Sequence, residues 1–307
     1  LITEVLIPDD KETLFTRVDV STVYVQIVED LEEAVDNLDN TYKSRASKAA
    51  AQGLLAKVLL TQPTPDYERA RVLCEAVMSS GFSLMPNFYD VFYSELNDEI
   101  IFAIQYRSGD PLESQSFSAE FTSAVRQGFQ DGLNIPEDNL IADLNTYGGN
   151  RADVSLTNVQ GSIEVAKFLP DGFEWQEDYG GNARNAGNDW IILRYADILL
   201  MHVEAILAGT ESTSSSAALN SFNQIRQRAG LPDATAISKE DLLLERRVEF
   251  AFENHRFYDL LRFGVADAVL SAYAADNGYT DYNARALLLP IPAREINLSG
   301  GLLTQNP

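Results

Sequence analysis

The sequence predicts a mainly α protein built of paired helical hairpins, interrupted by one long loop-rich insert and carrying only a few short strands. Three observations predict it. Apolar residues recur at steps of three and four in segments on both sides of the insert, as helices with one buried stripe require. Small residues punctuate the first hairpin, where two helices must approach closely. Between residues 107 and 189 the periodicity largely disappears, while Gly, Asn, Asp, Ser and Pro accumulate.

Ser21 is the expected cap of a first helix whose apolar stripe runs Val23, Ile27, Leu31, Ala34 and Leu38. An Ala-rich helix over residues 46–60 and a second helix over 67–78 follow, joined by a Pro-containing turn at 62–65. The run Ala49, Gly53, Ala56, then Tyr67 and Ala70, has the helix-turn-helix logic of a tetratricopeptide unit, and hence of an α/α superhelix. Gly81 is the expected left-handed stop of that hairpin. A second pair is expected at 191–207 and 217–229, with Trp190 as a hydrophobic anchor at the start of its first helix. Residues 99–106, EIIFAIQY, read as a short strand from their branched and aromatic content. The insert carries Phe117, Phe121, Phe129, Tyr147, Phe168, Phe173, Trp175 and Tyr179, more aromatics than a disordered linker holds, so it reads as functional loop. The expected division is one domain over 1–307. It has hairpins at 20–80, an insert at 81–189 that presents a binding surface, and a helical part at 190–307 that ends in an extended tail.

Residues 242–264, LLLERRVEFAFENHRFYDLLRFG, form the segment on which the rest is expected to be arranged. Leu243, Leu244, Val248, Phe252, Phe257, Leu260 and Leu261 predict one core helix. Between them sit Glu245, Arg246, Arg247, Glu249, Glu253, Arg256, Asp259 and Arg262, many three or four apart. So many charges among aromatics point to a buried ionic lattice, with a solvated surface helix as the alternative. Arg256 is expected to neutralise carboxylates such as Glu253.

The run ER-x-x-E-x-x-x-E-x-x-R-x-x-D-L-x-R, followed by LLLPIPAREINLSGGLLTQNP at 287–307, resembles the C-terminal signature of the SusD/RagB family. RYADILLMHVEAI at 194–206, LNSFNQIRQRAGL at 219–231 and RASKAAAQGLLAKVLL at 45–60 resemble family segments too. The resemblance implies a cell-surface, lipid-anchored protein of the outer membrane that captures oligosaccharide or polysaccharide and hands it to a SusC-like TonB-dependent transporter. Members of the family usually carry a lipoprotein signal and a first helical portion ahead of the point matching Leu1, so the resemblance implies an N-terminal portion that this chain lacks.

Composition bounds the function independently. With 307 residues, 45% of them hydrophobic, the chain can bury a full core, and no run of twenty apolar residues occurs. A net charge of -23 argues against nucleic acid, anionic membrane surfaces and polyanionic sugars as main partners, and favours neutral ligands. The single cysteine, Cys74, allows no internal disulfide. There is no phosphate loop, no G-x-S-x-G and no H-E-x-x-H, and the two histidines, His202 and His255, fall in separate segments as packed or surface residues. Glu245 and Glu249 lie one turn apart, but the arginines between them would keep both ionised, whereas a glycosidase acid needs a raised pKa. No enzyme activity and no cofactor is expected.

A sugar site stacks Trp or Tyr on C–H faces while planar polar groups bind hydroxyls. The stretch FEWQEDYGGNARNAGND at 173–189 supplies that mixture. Trp175 and Tyr179 are the candidate platforms, with Gln176, Asp178, Asn182 and Arg184 as hydrogen-bonding partners and Tyr147 as a further aromatic. Trp175 as a plug that packs the loop onto the helices is the structural alternative. A helical-repeat scaffold binding only protein, and a helical glycan-cleaving enzyme, are the competing functions. Since no transition-metal ligand cluster is visible, chelator should alter neither melting temperature nor ligand retention. Loss of binding on chelation would reveal a carboxylate-and-carbonyl calcium site.

Overall fold

Ser47 and Asp66 set the first hairpin. Their side chains accept from the N–H groups of Ala50 (3.2 Å) and Arg69 (3.0 Å), starting helices α3 (Lys48–Thr61) and α4 (Tyr67–Met78). The computed structural model describes residues 1–7, 9–122, 133–159, 161–169 and 185–306, and those residues are mainly helical. A short α1 (Lys11–Phe15) leads into α2 (Val20–Asn37), which packs on α3. The cap of α2 is Asp19 rather than Ser21, which lies inside the first turn. Small residues matter as predicted: a Cβ on Gly53 would sit 2.4 Å from Leu193 Cδ2 and 2.9 Å from Ile198 Cδ1. Ala49, Ala56, Ala70, Cys74 and Val77 close the same core. Gly81 does adopt positive φ, +89°.

Two apolar runs divide differently from the periodicity. Residues 190–194 form a strand, β4 (Trp190–Arg194), antiparallel to β1 (Ile100–Ile104) with Ile104 opposite Trp190 and Ile100 opposite Arg194. Only then does a helix begin, at Tyr195, and it runs to Leu207. Branched Ile191 and Ile192 favour the strand, and its partner lies some ninety residues away in the chain, beyond the reach of local pattern. Trp190 is therefore a strand residue, packed on Phe168 at 5.5 Å between ring centroids. The predicted helix over 242–264 is likewise two. The first, Lys239–Glu249, starts with a capping box of Ser238 and Asp241; the second spans Arg256–Arg262. Phe252 (φ 69°) and Asn254 (φ 62°) are left-handed in the turn between them.

The insert holds more order than its composition predicts. It contains α5 (Asp90–Tyr93), α6 (Phe117–Glu120), α7 (Asp138–Tyr147), α8 (Arg151–Ser155) and the hairpin of β2 (Leu156–Val159) with β3 (Ser162–Val165). The further helices are α9 (Tyr195–Leu207), α10 (Ser216–Arg228), α11 (Lys239–Glu249), α12 (Arg256–Arg262), α13 (Ala266–Asp276) and α14 (Ala293–Leu298). The α9–α10 pair repeats the hairpin of α3–α4, and α9 packs against α4.

What joins hairpins to insert is charge. Arg194, at the end of β4, bonds Glu99 (2.8 Å), Glu249 (2.6 Å) and both oxygens of Glu253 (2.8 Å each). Arg228 adds Glu99 (3.0 Å) and Glu249. Arg151 bonds Glu245 (2.6 Å) and Glu249 (2.9 Å). Lys167 bonds Glu253 (2.8 Å) and the carbonyls of Glu249 and Ala251, groups that a continued helix would have used internally. Four cations thus meet four carboxylates, all nearly sealed from solvent. A second set, Lys57, Arg246 and Arg262 with Asp197, Glu204 and Asp259, ties α3 to α9, α11 and α12. The expected buried lattice is present, but Arg256 does not neutralise Glu253. Its contact is to the Leu243 carbonyl at 3.5 Å, because the broken helix turns it away from the lattice.

Burial pushes the Glu249 carboxyl upward, yet Arg228, Arg194 and Arg151 overcome it and hold the group well below the usual range. Glu253 and Asp197 are depressed in the same way, against burial, by Arg194 and Lys167 and by Lys57 and Arg246 respectively. Burial also pulls the Lys167 ammonium down to about 8, against the attraction of Glu253. Because the folded-state carboxylate values are depressed, the stability they supply is full above the unfolded values and is lost as pH falls through the folded ones. Melting temperature should therefore hold near neutrality and drop steeply below about pH 4.5, and a flat profile down to about pH 3 would contradict this. Replacing Arg194 by Met should cost about 3–5 kcal/mol in denaturant unfolding, since three carboxylates lose a partner, while Arg256→Ala leaves the lattice whole.

Candidate functional site

Asn97 organises one rim of the site. Its buried carboxamide donates to the carbonyls of Asp90 (3.1 Å), Val91 (3.0 Å) and Ser94 (2.8 Å), fixing the turn of α5 and with it Tyr89 and Tyr93. Those two rings stack 4.2 Å apart at 16°, and the Tyr93 hydroxyl donates to the Ala166 carbonyl at 2.7 Å. Opposite, the chain leaving β1 meets the end of the insert. The Asp189 carboxylate accepts from the Tyr106 N–H at 3.0 Å, and Gln115 and Ala186 exchange backbone bonds of 3.0 Å. Gly187 makes this approach possible, since a Cβ there would lie 2.7 Å from the Ser108 nitrogen.

Between the rims is a cavity of about 390 Å³ lined by Tyr89, Phe92, Tyr93, Tyr106 and the polar Ser94, Glu95, Arg107, Ser108, Asn188 and Asp189. Arg107 is committed to Asp110 and Glu113, each at 2.8 Å. Burial raises the Asp189 carboxyl, and Glu95 adds to the rise, but its Oδ2 is closed off and without a hydrogen-bond partner. That carboxylate braces the Tyr106 backbone. Aromatic faces with carboxamide, hydroxyl and carboxylate groups around them suit a hydroxyl-rich ligand.

Of the sequence candidates, Trp175, Gln176, Asp178, Tyr179, Asn182 and Arg184 lie outside the described residues. Tyr147 ends α7, is 47% exposed and does not line the tyrosine cavity; its carbonyl accepts from buried Arg151 at 3.2 Å. Asn188 and Asp189 belong to the stretch singled out in the sequence. Tyr89, Tyr93 and Tyr106 were not singled out, although FYDVFY at 88–93 places two tyrosines four apart, one turn of a helix.

Other constellations are structural. His202 Nδ1 lies 2.8 Å from Ser221 Oγ and Nε2 3.4 Å from Glu75, yet Ser221 has no exposed surface and burial lowers the imidazole pKa. Glu249 is held ionised and sealed, so Glu245 and Glu249 form no acid-base pair. Among the described residues no cluster of three or more His, Cys, Asp or Glu could hold a metal, and no helix is long and apolar enough to cross a membrane.

The sequence profile of the SusD family matches residues 128–307. A SusD-like protein of Bacteroides ovatus is 29% identical over 302 residues, covering 87% of this chain and 55% of that protein. SusD-like protein P2 of Formosa agariphila is 25% identical over 335 residues, covering 93% and 64%. The chain thus spans between about half and two thirds of the length of these relatives. Among solved structures, a laminarin-binding SusD-like protein superposes with a TM-score of 0.76 at 26% identity, over 100% of this chain and 73% of that one. Surface glycan-binding protein A from Bacteroides fluxus gives 0.77 at 26%, over 95% and 70%. A structure in complex with xylogluco-oligosaccharide shares the fold, with a TM-score of 0.80 at 23% identity over 97% and 76%.

Proposed function

This chain belongs to the SusD family, and from that premise we propose that it captures neutral oligosaccharide or polysaccharide at the cell surface and passes it to a SusC-like TonB-dependent transporter, without cleaving it. One observation carries the reading: the cavity rimmed by Tyr89, Tyr93 and Tyr106 and closed by Asn188 and Asp189. Stacking surface and planar hydrogen-bonding groups are what sugar recognition uses. The acidic net charge of -23 fits a neutral glycan, and laminarin, bound by one structural relative, is the first ligand to try.

In this proposal the chain works as one unit over 1–307, with the hairpins at 20–80 and the C-terminal part at 190–307 supporting a binding surface on the insert at 81–189. Trp175 and Tyr179 extend the platform, and Gln176, Asp178, Asn182, Arg184 and Tyr147 contribute contacts. A lipid anchor to the outer membrane, facing outward, completes the scheme.

The test is retention in native gels containing laminarin, xyloglucan and other neutral polysaccharides, beside product analysis. Tyr106→Ala and Trp175→Ala should each weaken retention about thirtyfold, as loss of an anchor worth about 2 kcal/mol implies. Melting temperature should stay within about 2 °C, as expected for aromatics outside the core. Retention by neither the parent chain nor its variants would defeat the proposal in favour of a protein-binding scaffold, and sugar products would make it an enzyme. Unfolding by Trp175→Ala would make that residue a packing plug.

A further inference from the structure

A second cavity, of about 580 Å³, shares no residue with the tyrosine-lined one. It lies beside the left-handed turn between α11 and α12, with Ile135, Leu140, Trp190, Phe252 and Phe257 among its walls and Arg256 at its side. Its volume falls within the roughly 300–1,000 Å³ typical of small-ligand sites.

Arg256 differs from every arginine of the lattice. Arg151, Arg194, Arg228, Arg246 and Arg262 each hold two or more carboxylates. Arg256 is half-buried, and among the described residues no carboxylate reaches it; its hydrogen bond is the long one to the Leu243 carbonyl at 3.5 Å. Burial, and then neighbouring Arg247, lower its pKa to about 10, so it remains a cation at neutral pH. The two carboxylates that act on it from farther away are engaged elsewhere, Asp259 with Arg246 and Arg262 and Asp143 with Arg247. Among the described residues this half-desolvated guanidinium beside apolar walls has no carboxylate in ion-pair contact, and its planar fork is shaped for one.

We propose that this cavity binds an amphipathic carboxylate, a small molecule with one anionic group held by Arg256 and an apolar body packed among Ile135, Leu140, Trp190 and Phe257. The overall negative charge and Glu137 in the wall disfavour polyanions. Charge complementarity thus selects a ligand with a single carboxylate, chemically unlike the neutral glycan of the other cavity.

Titration calorimetry with decanoate and decan-1-ol, which share an apolar body and differ in the anion, tests this on the unmodified chain. Decanoate should bind saturably and at least about tenfold more tightly than the alcohol. Arg256→Gln should remove that preference while laminarin retention and melting temperature stay unchanged. Absence of saturable decanoate binding, equal affinity for the alcohol, or a preference that survives Arg256→Gln would each overturn the proposal. The decanoate–decanol comparison decides the matter even if the variant folds poorly.

Discussion

Neutralisation of buried charge is the constraint on which the architecture depends. Taking one ion into a protein interior costs several kcal/mol, so each guanidinium and carboxylate must meet partners within hydrogen-bonding distance. Arg194 satisfies that requirement with Glu99, just ahead of β1, and with Glu249 and Glu253, at the end of α11 and in the turn after it. The same requirement explains why the chain stops being helical after Glu249: carbonyls of the broken turn are acceptors for Lys167 and Arg194. The ions are enclosed by rings, with Arg194 4.5 Å from the centre of Phe250 and Lys167 4.8 Å from that of Phe92. Each buried set is balanced in itself, four cations with four carboxylates and three with three, so neither contributes to the net charge of -23.

The lattice also couples scaffold to site. Lys167 follows β3, and its cage includes Phe88 and Phe92, which belong to the same short segment as Tyr89 and Tyr93. That segment therefore covers buried charge with Phe88 and Phe92 and lines the cavity with Tyr89, Phe92 and Tyr93. Glu99, one residue ahead of β1, receives Arg194 and Arg228 and also accepts from the Met85 N–H at 2.9 Å. The segment carrying the tyrosines is thus tied to Lys167, which does not line the cavity.

Much of this was legible in the sequence because helices declare themselves locally. The small-residue pattern around Gly53 located the first hairpin, and charges three and four apart among aromatics signalled the lattice. The partners were not legible: Arg194 meets Glu99 at a separation of 95 residues, and Arg151 meets Glu249 at 98. β4 was hidden for the same reason, since an apolar run of four residues fits helix or strand until β1 lies beside it. The break at 250–255 places Phe252 in a conformation its side chain disfavours, so only the tertiary demand for its neighbouring carbonyls accounts for it. At the cavity, Asn188 and Asp189 fall in the stretch noted for its composition but were not named as binding residues, whereas Tyr93 ends, and Tyr89 just precedes, a four-residue helix too short for any period.

The wide sequence spacing of the lattice has a consequence for how the chain comes to be folded. Contacts between distant residues form slowly, because a long loop must close before any contact rewards the closure. During synthesis, the hairpin of α3 and α4 emerges with Lys57 exposed, and Asp197 follows far later. Arg246 and Arg262 come later still, so the second set of charges remains unbalanced until α12 has left the ribosome. Until then its members remain hydrated, and the set is complete only once α3, α9, α11 and α12 have come together.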